Sequence, residues 1–92
     1  MDYELATQLQ NAGFPQSGDG KRIGSPNAVL WRSNDLAYEP TLDELFQAVG
    51  DEFIRLLKRH DGTFLAESSS GAVAEGSTAD VAMARLWLAL HR

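Results

Sequence analysis

The stretch Phe53-Ile54-Arg55-Leu56-Leu57-Lys58-Arg59-His60-Asp61-Gly62-Thr63-Phe64-Leu65-Ala66-Glu67-Ser68-Ser69 decides the fold. Two apolar-rich runs, Phe53–His60 and Thr63–Ser69, flank Asp61-Gly62. Asp-Gly in that setting signals a β-hairpin closed by a two-residue type I′ turn. Such a loop sets His60 opposite Thr63, Arg59 opposite Phe64 and Leu57 opposite Ala66. One face then carries Phe53, Leu57, Phe64 and Ala66 with Arg55 and Arg59. The other carries Ile54, Leu56 and Leu65 with Lys58 and Glu67. The first is expected to face the core, because aromatic side chains bury more area. A slip of one residue would invert that choice.

C-terminal to the hairpin, Ser68-Ser69-Ser70-Gly71 has turn chemistry and Ala72-Val73-Ala74 reads as a third short strand. Gly76-Ser77 leads to a helix capped by Thr78 and running to about Leu90. From Thr78 to His91 only Thr78, Asp80, Arg85 and His91 are not apolar. A helix apolar nearly all round is buried on more than one side, either centrally in the fold or by completion in a dimer.

N-terminal to the hairpin, Thr41-Leu42-Asp43-Glu44 is a capping box, followed by the apolar stripe Leu42, Leu45, Phe46 and Val49 and the stop Gly50. Tyr38 and Glu39 are expected to be extended, because Pro40 disfavours helix before it. A short strand at 28–32 precedes the turn residues Ser33-Asn34-Asp35. Residues 13–27 hold four of the eight glycines and two of the three prolines, which predicts a long flexible loop. Leu5, Leu9 and Ala12 mark a first helix, capped by Asp2 and stopped by Gly13, Phe14 and Pro15. The reading is one α+β domain over residues 1–92: three helices packed on a small antiparallel sheet centred on the 53–69 hairpin.

Composition narrows the function classes. With no cysteine, disulfide scaffolds, zinc ribbons and thiol chemistry are excluded. Eight basic against 13 acidic residues leave a net charge of −5, which disfavours phosphate backbones and anionic membranes as partners. No apolar run approaches the roughly 18 residues of a membrane span. The start Met1-Asp2-Tyr3-Glu4 is acidic and unlike a secretory leader, so a cytoplasmic location is expected.

Tyr38-Glu39-Pro40-Thr41-Leu42-Asp43-Glu44-Leu45-Phe46-Gln47-Ala48-Val49-Gly50 resembles a Y-x-P-T-L-x-E-L-I-E-A-C-G segment. Gly76-Ser77-Thr78-Ala79-Asp80-Val81-Ala82-Met83-Ala84-Arg85-Leu86-Trp87-Leu88-Ala89-Leu90 resembles G-x-T-P-E-E-A-V-A-R-L-W-L-A-L. Both segments occur, in this order, in small proteins carried by phages and prophages, and Ala12-Gly13-Phe14-Pro15-Gln16 fits the same pattern. Val49 stands where that group has a cysteine, and the Pro-Glu-Glu after the last cap is missing. The resemblance implies a bacterial or phage-infected-host cytoplasm and no particular activity. Gly76, Thr78, Ala82, Leu86 and Leu90 are also similar to the strand-to-helix junction of the N-terminal unit of HicB-type antitoxins. That likeness implies a helix on a three-stranded sheet.

Candidate sites are few. Gly18-Asp19-Gly20-Lys21-Arg22-Ile23-Gly24-Ser25 has the glycines and charge of a phosphate loop, but not the Gly-Lys-Ser/Thr order or the preceding strand. Arg55, Lys58 and Arg59 would hold a nucleic-acid backbone if they shared a rim. The competing reading is neutralisation by the acids at 35, 39, 43, 44, 51 and 52. His60 and His91 have no metal-ligand spacing, and no catalytic elbow surrounds Ser68-Ser69-Ser70. Trp31, Trp87 and Arg85 are the candidate protein contacts. The expectation is therefore a non-catalytic accessory module that needs no cofactor or metal and binds another protein or a second copy of itself. The alternative is an antitoxin-like, nucleic-acid-linked regulator using the basic strand.

Overall fold

The structure, a computed structural model, describes residues 1–16, 18, 20–24 and 36–91. The elements are α1 (Tyr3–Asn11), β1 (Lys21–Gly24), β2 (Leu36–Glu39), α2 (Leu42–Val49), a single 3₁₀ turn (Gly50–Glu52), β3 (Phe53–Lys58), β4 (Phe64–Ser68), β5 (Val73–Gly76) and α3 (Ala79–Leu90). Three helices and two small antiparallel sheets, β1-β2 and β3-β4-β5, make an α+β fold. No helix among the described residues is long and apolar enough to cross a membrane.

Local chemistry sets the helix ends. The Asp2 carboxylate accepts from the Leu5 amide at 2.9 Å and starts α1. Gly13 takes φ +88°, and the amides of Phe14 and Gly13 return to the carbonyls of Leu9 and Gln10. That pair of bonds is the glycine stop expected from the sequence, and it turns Phe14 into the core. The capping box of α2 is complete: Thr41 Oγ1 accepts from the Glu44 amide, and Glu44 Oε1 accepts from the Thr41 amide. At α3 the expected Thr78 side-chain cap is absent; the Thr78 hydroxyl is turned to Asp80 and donates to its carboxylate.

The hairpin differs from expectation by one residue. The Gly62 amide donates to Arg59 O, Gly62 takes φ +89°, and the Arg59 amide donates to Thr63 O at 2.7 Å. His60, Asp61 and Gly62 thus form a three-residue loop, a turn followed by a left-handed glycine. Lys58 faces Phe64, Leu57 faces Leu65 and Leu56 faces Ala66. Ile54 is an extra residue at a bulge between Phe53 and Arg55. Phe53, Leu56, Phe64 and Ala66 consequently face the core, whereas Leu57, Arg55 and Arg59 turn away. Phe64 and Ala66 are on the expected side, while on β3 the longer loop replaces Leu57 with Leu56.

The expected 13–27 loop also contains structure. Lys21–Gly24 pairs antiparallel with Leu36–Glu39, from Lys21 opposite Glu39 to Gly24 opposite Leu36. The strand expected at 28–32 lies outside the described residues.

Helix α3 is the centre. Ala82, Met83, Ala84, Leu86, Trp87 and Leu88 are buried, with β4 and β5 packed against one side and α1 and α2 against the others. Most of its apolar surface is therefore buried within the chain, with Ala89 exposed and Ala79, Val81 and Leu90 half-buried. The Trp87 ring meets Phe14 edge-on with centroids 5.0 Å apart and stacks on His91 at 4.1 Å. The α-amino group of Met1, between Glu39 at 2.9 Å and Asp80 at 3.2 Å, ties β2 to the start of α3.

The close approach of β5 to α3 requires Gly76. A Cβ there would lie 2.5 Å from the Ala82 amide nitrogen, a backbone atom that cannot swing aside. Gly76→Ala is expected to lower unfolding stability by about 1–3 kcal/mol, read as a lower urea midpoint. Ala at Gly71, where nothing lies within 4 Å and φ is +90°, should fail through backbone strain alone and cost less.

Candidate functional site

The glycine-rich loop has an internal anion. The Gly20 amide donates to the Tyr38 hydroxyl at 2.9 Å, and that hydroxyl donates to Glu44 Oε2 at 2.7 Å. A Cβ on Gly18 would strike the Glu44 carboxyl group, and one on Gly20 would strike Glu39 O and the Tyr38 ring. The glycines thus allow backbone to close over the Tyr38–Glu44 pair. Lys21 faces Glu39 at 3.6 Å and Arg22 donates to Gln16, so neither cation turns toward the glycine amides. A cleft of about 220 Å³ lined by Phe14, Pro15, Glu44, Gln47 and Ala48 adjoins this network. Its carboxylate is already engaged by Tyr38 and Thr41.

Burial alone would push the Glu44 carboxyl up. Hydrogen bonds from Tyr38, Thr41 and Gly20 outweigh burial and hold it below its ordinary value of 4.5. A carboxylate with a lowered folded pKa stabilises the fold above its unfolded value, and the contribution is lost as pH falls through the folded one.

The other singled-out residues are dispersed. Trp87 is 3% exposed and belongs to the core, so it is not a surface contact. Trp31 lies outside the described residues. Arg85 is exposed, and its guanidinium donates to Glu75 O at 2.9 Å, capping the outer edge of β5. His60 sits in the hairpin turn, and His91 Nδ1 lies 2.9 Å from Trp87 O at the end of α3. Ser68 is buried, with its hydroxyl against Ser70 and the Ala72 amide, where it closes the β4-β5 turn.

The basic run is split and largely neutralised. Arg55 and Arg59 lie on the outer face of the sheet, whereas Lys58 alternates to the side of Leu56 and Phe64. Arg55 Nε pairs with Glu67 at 2.7 Å, and Arg59 Nη1 crosses β4 to reach Glu75 at 2.9 Å. The neutralising acids come from β4 and β5, not from residues 35–52.

Strand β3 is a different kind of surface. Four of its six residues, Phe53, Ile54, Leu56 and Leu57, are apolar, yet none of the six is buried. Ile54 is 55% exposed and Leu57 41%, and Val73 on β5 is 57% exposed. The helical layer lies mainly under β4 and β5. Because Arg59 is bonded to Thr63, ladder alternation turns the amides and carbonyls of Leu56 and Lys58 away from β4. Among the described residues these groups have no backbone partner. The outer edge of β5 is capped by Arg85, while that of β3 has no strand partner among the described residues. Sequence reasoning missed this strand as an apolar edge because the local pattern does not show how far the helices reach.

Comparison with protein-family models, with curated proteins and with solved structures finds no match.

Tyr38→Phe should lower stability by about 1–3 kcal/mol, since it leaves the Gly20 amide and the Glu44 carboxylate short of a partner. Glu44→Gln should lower the melting temperature at pH 7 and flatten its decline as the pH is taken down through and below the ordinary carboxylate value of 4.5. Thermal unfolding followed by circular dichroism across that range checks both.

Proposed function

We propose that the chain is a non-catalytic accessory interaction module whose contact element is β3. One observation carries the reading: an apolar-rich edge strand, with Phe53 and Leu56 half-buried against the core, leaves Ile54 and Leu57 exposed. Exposed strand edges are templates for pairing with another chain. The contact therefore moves from the last helix, which the chain itself buries, to the sheet. A cytoplasmic, bacterial or phage-encoded setting belongs to the same proposal and rests on the resemblance of residues 38–50 and 76–90. The nucleic-acid alternative finds little support in the geometry, since Arg55 and Arg59 are already paired with Glu67 and Glu75.

A photo-cross-linking residue at Leu57, with one at exposed Glu4 as control, tests the reading in the producing cells. Adducts to protein are expected from position 57 and not from position 4, and they should survive nuclease and high salt. Equal labelling from both positions, or adducts only to nucleic acid, would overturn it.

A further inference from the structure

We infer that Asp61-Gly62 is a modification site, at which the main chain rearranges to isoaspartate, and that the hairpin loop keeps this site locked until the turn end of β3 and β4 opens. An aspartate followed by glycine is especially prone to the change, since no side chain crowds the glycine nitrogen. Both residues are exposed. The reaction needs no reagent but water. The Gly62 nitrogen attacks Asp61 Cγ, so that a C–N bond forms and a Cγ–O bond breaks. The carboxyl hydroxyl leaves with the amide proton as water, and a cyclic imide remains. Water then opens the imide at one of its two carbonyls. Opening at Cγ restores aspartate. Opening at the main-chain carbonyl carbon of Asp61 leaves the chain running through Cβ and Cγ, with a new free carboxylate and no change in mass.

The folded loop engages both reacting groups. The Gly62 amide donates to Arg59 O at 3.1 Å, which holds its proton and fixes the residue at φ +89°. Asp61 Oδ1 accepts from the Thr63 hydroxyl at 2.7 Å and from the Thr63 amide at 3.0 Å. These bonds tie the carboxyl to Thr63, one residue beyond the nitrogen it would have to meet. Imide formation draws on the neutral carboxyl, because hydroxyl is the group that leaves. The Thr63 hydroxyl and amide favour the ionised form instead and hold Asp61 below its ordinary value of 3.8. The strand supplies the opening. None of the six residues of β3 is buried, and it packs mainly on β4. Elements of that kind open locally without unfolding the rest. At the turn end, the Arg59–Thr63 bond and the Arg59–Glu75 ion pair oppose opening. Rearrangement adds one main-chain atom to a loop whose length sets the strand pairing, so the modified chain holds β3 to β4 less firmly.

The test incubates the full chain for several weeks at mildly acidic pH, both folded and in guanidinium chloride. Trypsin digestion and mass spectrometry with electron-transfer fragmentation then locate isoaspartate. Cleavage after Lys21 and Arg59 puts Asp61-Gly62 on a different peptide from Asp19-Gly20, whose aspartate lies outside the described residues. The folded chain should form isoaspartate at position 61 on the order of tenfold more slowly than the unfolded chain. Thr63→Val loses the hydroxyl but keeps the amide; it should raise the folded rate several-fold and leave the unfolded rate unchanged. Thr63→Ser keeps the hydroxyl and should stay as slow as wild type. Glu75→Gln releases Arg59 at an exposed position and should raise the folded rate about twofold. Circular dichroism verifies that each variant folds. Equal folded and unfolded rates, or a folded rate indifferent to both Thr63→Val and Glu75→Gln, would overturn the lock. Absence of isoaspartate at position 61 in guanidinium chloride would overturn the site itself.

Discussion

Where β5 runs into α3, the backbone at Gly76 lies against the first turn of the helix, and a methyl group would sit 2.5 Å from the Ala82 nitrogen. That contact brings α3 down onto β4 and β5 so that Ala82, Met83 and Leu86 are fully enclosed. With the sheet covering one side, α1 and α2 close over the others, and Phe14 is drawn in against Trp87. A chain of this size has one core and no disulfide to assist it, so loosening this junction would loosen every element that leans on α3.

The same geometry explains where the molecule is left open. The helix covers the strands it touches, and β3 is the strand farthest from β5 in the sheet. Apolar residues that would be interior in a wider α/β layer are therefore left at a margin. Arg59 compensates on the solvent side by reaching across β4 to Glu75, which binds the outermost strand to the one anchored by the helix. Such ion pairs contribute little energy in water, but they hold orientation and keep both charges away from an approaching chain.

Features encoded by neighbouring residues were legible in the sequence. The capping box at Thr41 and Glu44, the glycine stop after α1 and the burial of α3 on several sides each need only a few adjacent side chains. The site was legible only in part. An Asp-Gly pair closes both two- and three-residue hairpins, and whether His60 joins the loop is settled by packing on the far side of the sheet. Strand β1 escaped notice because Lys21-Arg22-Ile23-Gly24 has no alternation and its partner lies more than ten residues on. The glycines at 18 and 20 suggested a phosphate, and their reason is a tyrosine and a glutamate distant in sequence. The partners of Arg55 and Arg59 likewise depend on strand order, which composition does not reveal.

The pairing of Gly24 with Leu36 closes the β1-β2 ribbon and holds the two ends of the intervening chain side by side. A segment whose ends are already joined transmits no tension to what it joins, and lengthening it adds closure entropy only as the logarithm of its length. The register of the ribbon, from Lys21 opposite Glu39 to Gly24 opposite Leu36, is therefore set by its own ladder and by α1 packed against β2, whatever the length of chain between Gly24 and Leu36.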